Sequence, residues 1–207
     1  MNDNLALEKK ILEQKRKDIL NEVEQKKRYQ EEIQKKLISV TKEAKGSYSQ
    51  EKENTEKIYM LLKKEIENYE EALKNPYFGR VDFDEKFGSQ EKIYIGKKGI
   101  TSTYDGEEIV VDWRAPVADL YYSGTGGEAY YKAPMGVVEG DLNLKRKFLY
   151  NEENLSKIFD EGTNEIIING EEGEGLVDEF LKINLEESRG KKLKEVVATI
   201  QKEQNDI

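Results

Sequence analysis

Neither cysteine nor histidine occurs in these 207 residues; there are three prolines and one tryptophan. Without Cys there is no disulfide, no thiolate zinc site and no cysteine nucleophile. Without His the commonest general base and metal ligand at neutral pH is gone, and no Ser–His or Cys–His pair can be assembled. Long apolar runs are missing too. The N-terminal MNDNLALEKK has no signal-peptide core, and no stretch nears membrane-spanning length. A cytoplasmic protein without a membrane partner is expected. A phosphate-binding loop of the form GxxxxGK[ST] is also absent. The chain as it stands is therefore not expected to be an enzyme, and no catalytic residue, metal or cofactor is assigned to it.

What is present is charge. Charged residues make up 37% of the chain and hydrophobic ones 36%, which argues against one large core and for a long solvated helical element. Residues 1–75 are nearly neutral, so the formal net charge of −9 resides almost wholly in the remainder. An acidic body is a poor primary ligand for nucleic-acid phosphates, which need Lys and Arg to displace their counterions. A basic protein surface or channel is the better electrostatic match.

All three prolines and all glycines but Gly46 lie beyond residue 75, which marks a domain boundary at KNPYFGR. Before it, Leu5, Leu12, Ile19, Ile33 and Val40 recur on a heptad, with Val23, Leu37 and Ala44 on the companion position. Lys26 and Gln30 interrupt this seam. Gly46 is placed to end the helix, and Ser47 with Gln50 fits a capping box opening a second one. A second stripe, Ile58, Leu61, Leu62, Ile66, Tyr69 and Leu73, runs to Pro76. Two helices joined by a short loop fold back antiparallel. The first, about forty residues at ~1.5 Å each, is long enough to overhang the second and pack on the body.

After the boundary, EKIYIG (91–96), GITSTY (99–104) and EEIVVDW (107–113) read as strands, with Asp105-Gly106 as a two-residue hairpin turn. APVADLYYSG and GEAYYKAP read as a hairpin around Gly124–Gly127, with Tyr121-Tyr122 and Tyr130-Tyr131 each placing one ring on either face. LNLKRKFLY and LSKIFD read as a third hairpin, turning at NEEN. Trp113 is expected in the core, and Arg114 in an ion pair with Asp112. The fold class is thus α+β: an antiparallel coiled-coil arm (1–75), a small antiparallel sheet or open barrel (76–162), and a C-terminal helical segment (163–207). That segment opens with the acidic EEGEGLVDEF and ends in KKLKEVVATIQKEQNDI.

Four strings stand in order: PYFGRVDF (76–83), EKIYIGKKGI (91–100), VVDWRAPVADLYYSG (110–124) and KLKEVVATIQKEQNDI (192–207). With GDLNLKRKFLY and IFDEG between them, they resemble the N-terminal region of HelD-type proteins, UvrD-like ATPases that bind bacterial RNA polymerase. The resemblance implies that this chain is the N-terminal part of a larger ATP- and Mg-dependent helicase-like protein. It implies that the coiled coil enters the polymerase secondary channel, as Gre factors do, and that the β-rich part braces it. The whole protein would release or recycle polymerase from nucleic acid. Gln204 falls on the adenine-reading Gln of the family, and Tyr48, Glu51 and Glu53 lie at the tip that approaches the polymerase. Glu51 and Glu53 flank a Lys and do not share a helix face, which speaks against metal-assisted cleavage of the Gre kind. A monomer with RNA polymerase core as partner, and little nucleic-acid binding of its own, is expected. Two alternatives are a coiled-coil dimerisation or adaptor module, distinguished by concentration-dependent association, and a DNA-handling accessory domain, distinguished by salt-sensitive DNA binding.

Overall fold

The computed structural model describes residues 3–46, 48–124, 126–161 and 166–169. Helix α1 (Asp3–Ala44) runs for 42 residues, and α2 (Gln50–Ala72) for 23. Lys45 (φ 45°) and Gly46 (φ 82°) carry the chain out of α1 through the left-handed region, the role expected of Gly46. The capping residue of α2 is Ser49 rather than Ser47, which lies outside the described residues. Ser49 has extended backbone and accepts a hydrogen bond from the Lys52 N–H (3.3 Å).

The heptad seam of α1 faces inward along its whole length: Leu5, Leu12, Ile19, Val23, Ile33 and Val40 are all buried. Lys26, an apparent interruption, is accommodated by α2. Its ammonium lies 5.1 Å from the Tyr69 ring centroid and 3.0 Å from Glu65. On α2 the stripe holds at Leu62, Ile66, Tyr69 and Leu73 but not nearer the tip, where Ile58 and Leu61 are exposed and Thr55 is buried instead. The seam there follows alternating steps of four and three residues through Thr55, Tyr59, Leu62, Ile66, Tyr69 and Leu73. A residue as polar as Thr hides that register from hydrophobicity alone.

Eight strands follow: β1 (Gly79–Glu85), β2 (Gln90–Gly96), β3 (Ile100–Thr101), β4 (Glu108–Asp112), β5 (Gly127–Ala133), β6 (Gly136–Asn151), β7 (Asn154–Glu161) and β8 (Ile166–Asn169). Seven lie on one path, β3-β4-β2-β1-β6-β7-β8, and β5 pairs with the outer reach of β6. The path ends at β3 and β8, so among the described residues the sheet is open rather than a barrel. It is also mixed rather than purely antiparallel. After β2 the chain reverses into β3 and again into β4, so β4 returns parallel to β2, with Ile95 opposite Val111 and Gly96 opposite Asp112. The β3–β4 hairpin is present, but its turn is wider than two residues: the Ser102 N–H donates to the Glu107 carbonyl (2.8 Å). Gly106 (φ 78°) supplies the left-handed residue, and Asp105 Oδ1 accepts from the Glu107 N–H (3.0 Å). The β6–β7 hairpin turns at Asn151–Asn154 as expected.

The expected hairpin around Gly124–Gly127 does not form. Pro116–Ala118 is a 3-10 turn and Asp119–Ser123 a short helix, α3. Pro116 stands at the start of the turn, where its missing N–H costs nothing. Val117, Leu120 and Tyr121 are spaced as one helix face, and Leu120 and Tyr121 are buried. The partner of β5 is β6 instead.

Both faces of the sheet are covered. Tyr94, Ile100, Val110, Phe148 and Ile158 face the helices, in one cluster with Leu5, Leu12 and Ile19. Val81, Phe83, Ile93, Ile95, Val111 and Leu142 face the other way, against Leu120 and Tyr121, with Trp113 packed at the edge. Alternate residues of β2 therefore serve different cores, and on β1 Val81 and Phe83 alternate with the charged Arg80 and Asp82. Gly79 is required by the second one: a Cβ there would lie 2.5 Å from the Tyr121 ring.

Candidate functional site

The two ends of the helical pair differ in chemistry. At its root, α1 turns the face Leu5, Glu8, Leu12, Lys15, Ile19 and Glu22 toward the sheet. Glu8 is completely buried. Its Oε1 accepts from Arg80 Nη1 (2.5 Å) and from Arg146 Nη1 (2.6 Å), and the Tyr94 hydroxyl lies 3.2 Å from its Oε2. Arg80 on β1 also grips Asp82 through Nε (2.6 Å) and Nη2. Arg146 on β6 grips Asp160 on β7 through Nε (2.5 Å) and Nη2 (2.6 Å). Each guanidinium thus makes a two-pronged pair with an Asp and turns one remaining nitrogen to the same Glu.

Burial disfavours the Arg80 charge, but the Asp82 hydrogen bond and the neighbouring negative charges together outweigh it and hold its pKa above the ordinary value. Tyr94 is pushed above the ordinary tyrosine range, first by burial and then by the Glu8 charge. The Tyr94 hydroxyl therefore keeps its proton and can donate it to Glu8. The charges of this group nearly cancel, the condition under which ionic groups tolerate burial. Further fasteners flank it: Lys15 Nζ donates to the Ile109 carbonyl (2.5 Å), Arg16 Nε to the Leu73 carbonyl (2.9 Å), and the Thr103 hydroxyl to Glu22 Oε2 (2.6 Å). These residues escape a reading of periodicity, because a Glu in a lysine- and glutamate-rich helix looks solvated. The only available signal was Arg80 and Asp82 two apart on an alternating strand.

Beyond Gln25, the partners named for α1 lie on α2: Lys26 with Glu65, Lys27 with Glu70, and Lys36 with Glu51 (3.0 Å). From Gln25 to Ala44 the pair extends ~30 Å past these fasteners. At the tip, Tyr48 is exposed, with its hydroxyl within donating reach of Gln50 Oε1 (2.6 Å) and Glu53 Oε2 (3.1 Å). The Glu53 carboxyl is held below the ordinary range by the hydrogen bond from Lys57 (2.6 Å), with Tyr48 adding to it. Glu51 points the other way, to Lys36 across the helix pair. The structure thus brings Tyr48 and Glu53 together and sets Glu51 apart. Among the described residues, no three acidic side chains converge as a metal ion would need. Gln204 lies outside the described residues.

At the sheet edge, Arg114 and Asp112 form the expected pair, with Nε–Oδ1 and Nη2–Oδ2 both 2.8 Å. Burial acts to raise the Asp112 pKa, but the Arg114 hydrogen bonds prevail and lower it. Among the described residues, no helix is long and apolar enough to cross a membrane.

No curated protein matches the chain. The family described as DNA helicase IV HelD, N-terminal domain, matches residues 5–174. That span takes in the buried Glu8–Arg80–Arg146 root, the exposed tip and every described strand; the chain belongs to the HelD N-terminal domain family.

Proposed function

We propose that the helical pair is an antiparallel coiled-coil arm that enters the secondary channel of RNA polymerase, and that the sheet is its mount. The observation that carries this reading is the contrast along the pair: a root fixed by a buried ionic cluster, and a ~30 Å projection ending in an exposed tyrosine and carboxylates. A narrow rod held at one end and polar at the other suits insertion into a confined basic passage, where tip carboxylates compete with nucleic acid. Residues 1–75 would be the arm, 76–162 the mount, and 163–207 the lead into an ATP- and Mg-using helicase core of the parent protein, with Gln204 reading adenine there. Tyr48, Glu51 and Glu53 would be the polymerase contacts.

The test is binding of this chain to bacterial RNA polymerase core, with and without a Gre factor as competitor. The expected result is binding without ATP that Gre abolishes. It should weaken when residues 47–53 are replaced by a short Gly-Ser turn. Binding that ignores both Gre and the tip replacement would overturn the channel assignment. Self-association rising with concentration would favour a dimerisation module instead.

A further inference from the structure

Where α2 hands over to the sheet there is an open groove of about 870 Å³. Its charged lining comes from three separated parts of the chain. Glu71 and Lys74 stand at and just beyond the end of α2, Lys97 and Lys98 in the β2–β3 connection, and Lys157 on β7. Lysine outweighs the single glutamate, on a body that is otherwise strongly acidic. Lysines elsewhere are commonly engaged, as Lys15, Lys26, Lys27, Lys36 and Lys57 are. Lys157 is itself engaged. Among the described residues, Lys74, Lys97 and Lys98 have no ion-pair partner, and neither has Glu71. Three such ammonium groups around one concavity repel one another, and one carboxylate cannot offset them all. The last carbonyls of α2 would ordinarily add negative charge here. Arg16 occupies them instead, donating to the Leu73 and Lys74 carbonyls.

The cations do not stand alone. Phe78, Leu149 and Tyr150 line the same groove and are only half-buried, and Asn75 and Asn151 add uncharged hydrogen-bonding groups. Lysines set beside partly exposed rings are the combination that tracks a single-stranded nucleic-acid backbone while its bases lie against side chains. An acidic peptide would satisfy the charges but offers no regular series of flat faces to the rings. The volume falls within the range of about 300–1,000 Å³ typical of small-molecule pockets, so it admits a few nucleotides of one strand. A duplex is too bulky to enter and keeps its stacking faces turned inward.

We propose that this groove binds single-stranded nucleic acid, with Lys74, Lys97 and Lys98 on its phosphates. Glu71 faces the same occupant and opposes it, so it holds the affinity down. With about three phosphates neutralised, raising the salt about fourfold should weaken binding about twentyfold. The acidic remainder of the body adds nothing to it, so the affinity rests on this one groove. The proposal does not depend on the polymerase reading.

The test is fluorescence anisotropy of a short labelled oligothymidylate titrated with the full 207-residue chain at low and high salt. Binding that falls steeply with salt is expected. Lys74→Gln, Lys97→Gln and Lys98→Gln together should weaken it by about tenfold or more. Lys35→Gln with Lys42→Gln, exposed positions on α1 away from the groove, should leave it unchanged. Glu71→Gln should tighten binding about threefold, a gain that misfolding does not produce. Absence of salt-sensitive binding by the parent chain, or equal losses in the groove and α1 variants, would overturn the proposal. So would a Glu71→Gln chain that binds no tighter than the parent. Equal affinity for a duplex of the same length would refute the single-strand assignment. Polyglutamate displacing the probe as effectively as unlabelled oligothymidylate would give the groove to acidic protein segments instead. Circular dichroism of each variant, matching that of the parent chain, excludes misfolding as the cause of any loss.

Discussion

The root and the tip of the helical pair use the same residue types to opposite ends. At the root, Glu8 is removed from water and accepts from two arginines at once. At the tip, Glu53 faces solvent and its partner Lys57 stands one turn away on the same helix. Buried charges fix geometry because an unmet partner is costly. Exposed charges leave geometry nearly free and offer themselves to something else. The lesson is that the charges that fix the helical pair are concentrated where it joins the sheet, while those at its other end stay exposed.

Substitutions along the helical pair should therefore lose effect with distance from the sheet. Glu8→Ala leaves one nitrogen of each buried guanidinium without its acceptor, the pairs with Asp82 and Asp160 remaining, and should cost about 3 kcal/mol in denaturant unfolding. Along the shaft, Ile33→Ala opens a cavity at a seam flanked by solvent and should cost about 2 kcal/mol, near the lower end for such truncations. Ser49→Ala removes the cap of α2, and about 1 kcal/mol is expected, with faster hydrogen exchange confined to the first turn of α2. At the tip, Glu53→Gln should leave the melting temperature unchanged while weakening polymerase binding. A tip substitution more damaging than Glu8→Ala would reverse the comparison.

The sheet edge provides a milder check. The Asp112 pKa is depressed in the folded protein relative to the unfolded chain. The contribution of its pair with Arg114 is therefore present above the ordinary aspartate range and disappears as pH falls through the depressed value. A small acid-side loss of stability is expected in the parent chain and not in Asp112→Asn, as read by melting temperature against pH.

Much of this arrangement was legible in the sequence, for identifiable reasons. The seam from Leu5 to Val40, the stop at Gly46 and the hairpins at 105–106 and 151–154 follow from periodicity and turn chemistry, which are local. The central strand β1 was not read as a strand. Its Gly79 and the preceding Pro76 look like linker punctuation, yet Gly79 is there to admit the Tyr121 ring. The tyrosines at 121–122 read as a strand because aromatic pairs favour one, whereas Pro116 and the apolar spacing after it dictate a helix. The root cluster escaped detection because its members are 72 and 138 residues from Glu8. No local pattern carries a pairing at that separation.

The length of α1 turns the root into a question of aim. A rod that extends ~30 Å beyond its last fastener magnifies any rotation at the base, so a tilt of roughly 5° would sweep the tip through about 2.6 Å. That displacement is comparable to a hydrogen-bond length. Glu8, held from two strands at once, resists tilting in more than one direction. It sits far from anything the tip could touch, yet it sets the direction in which the tip points.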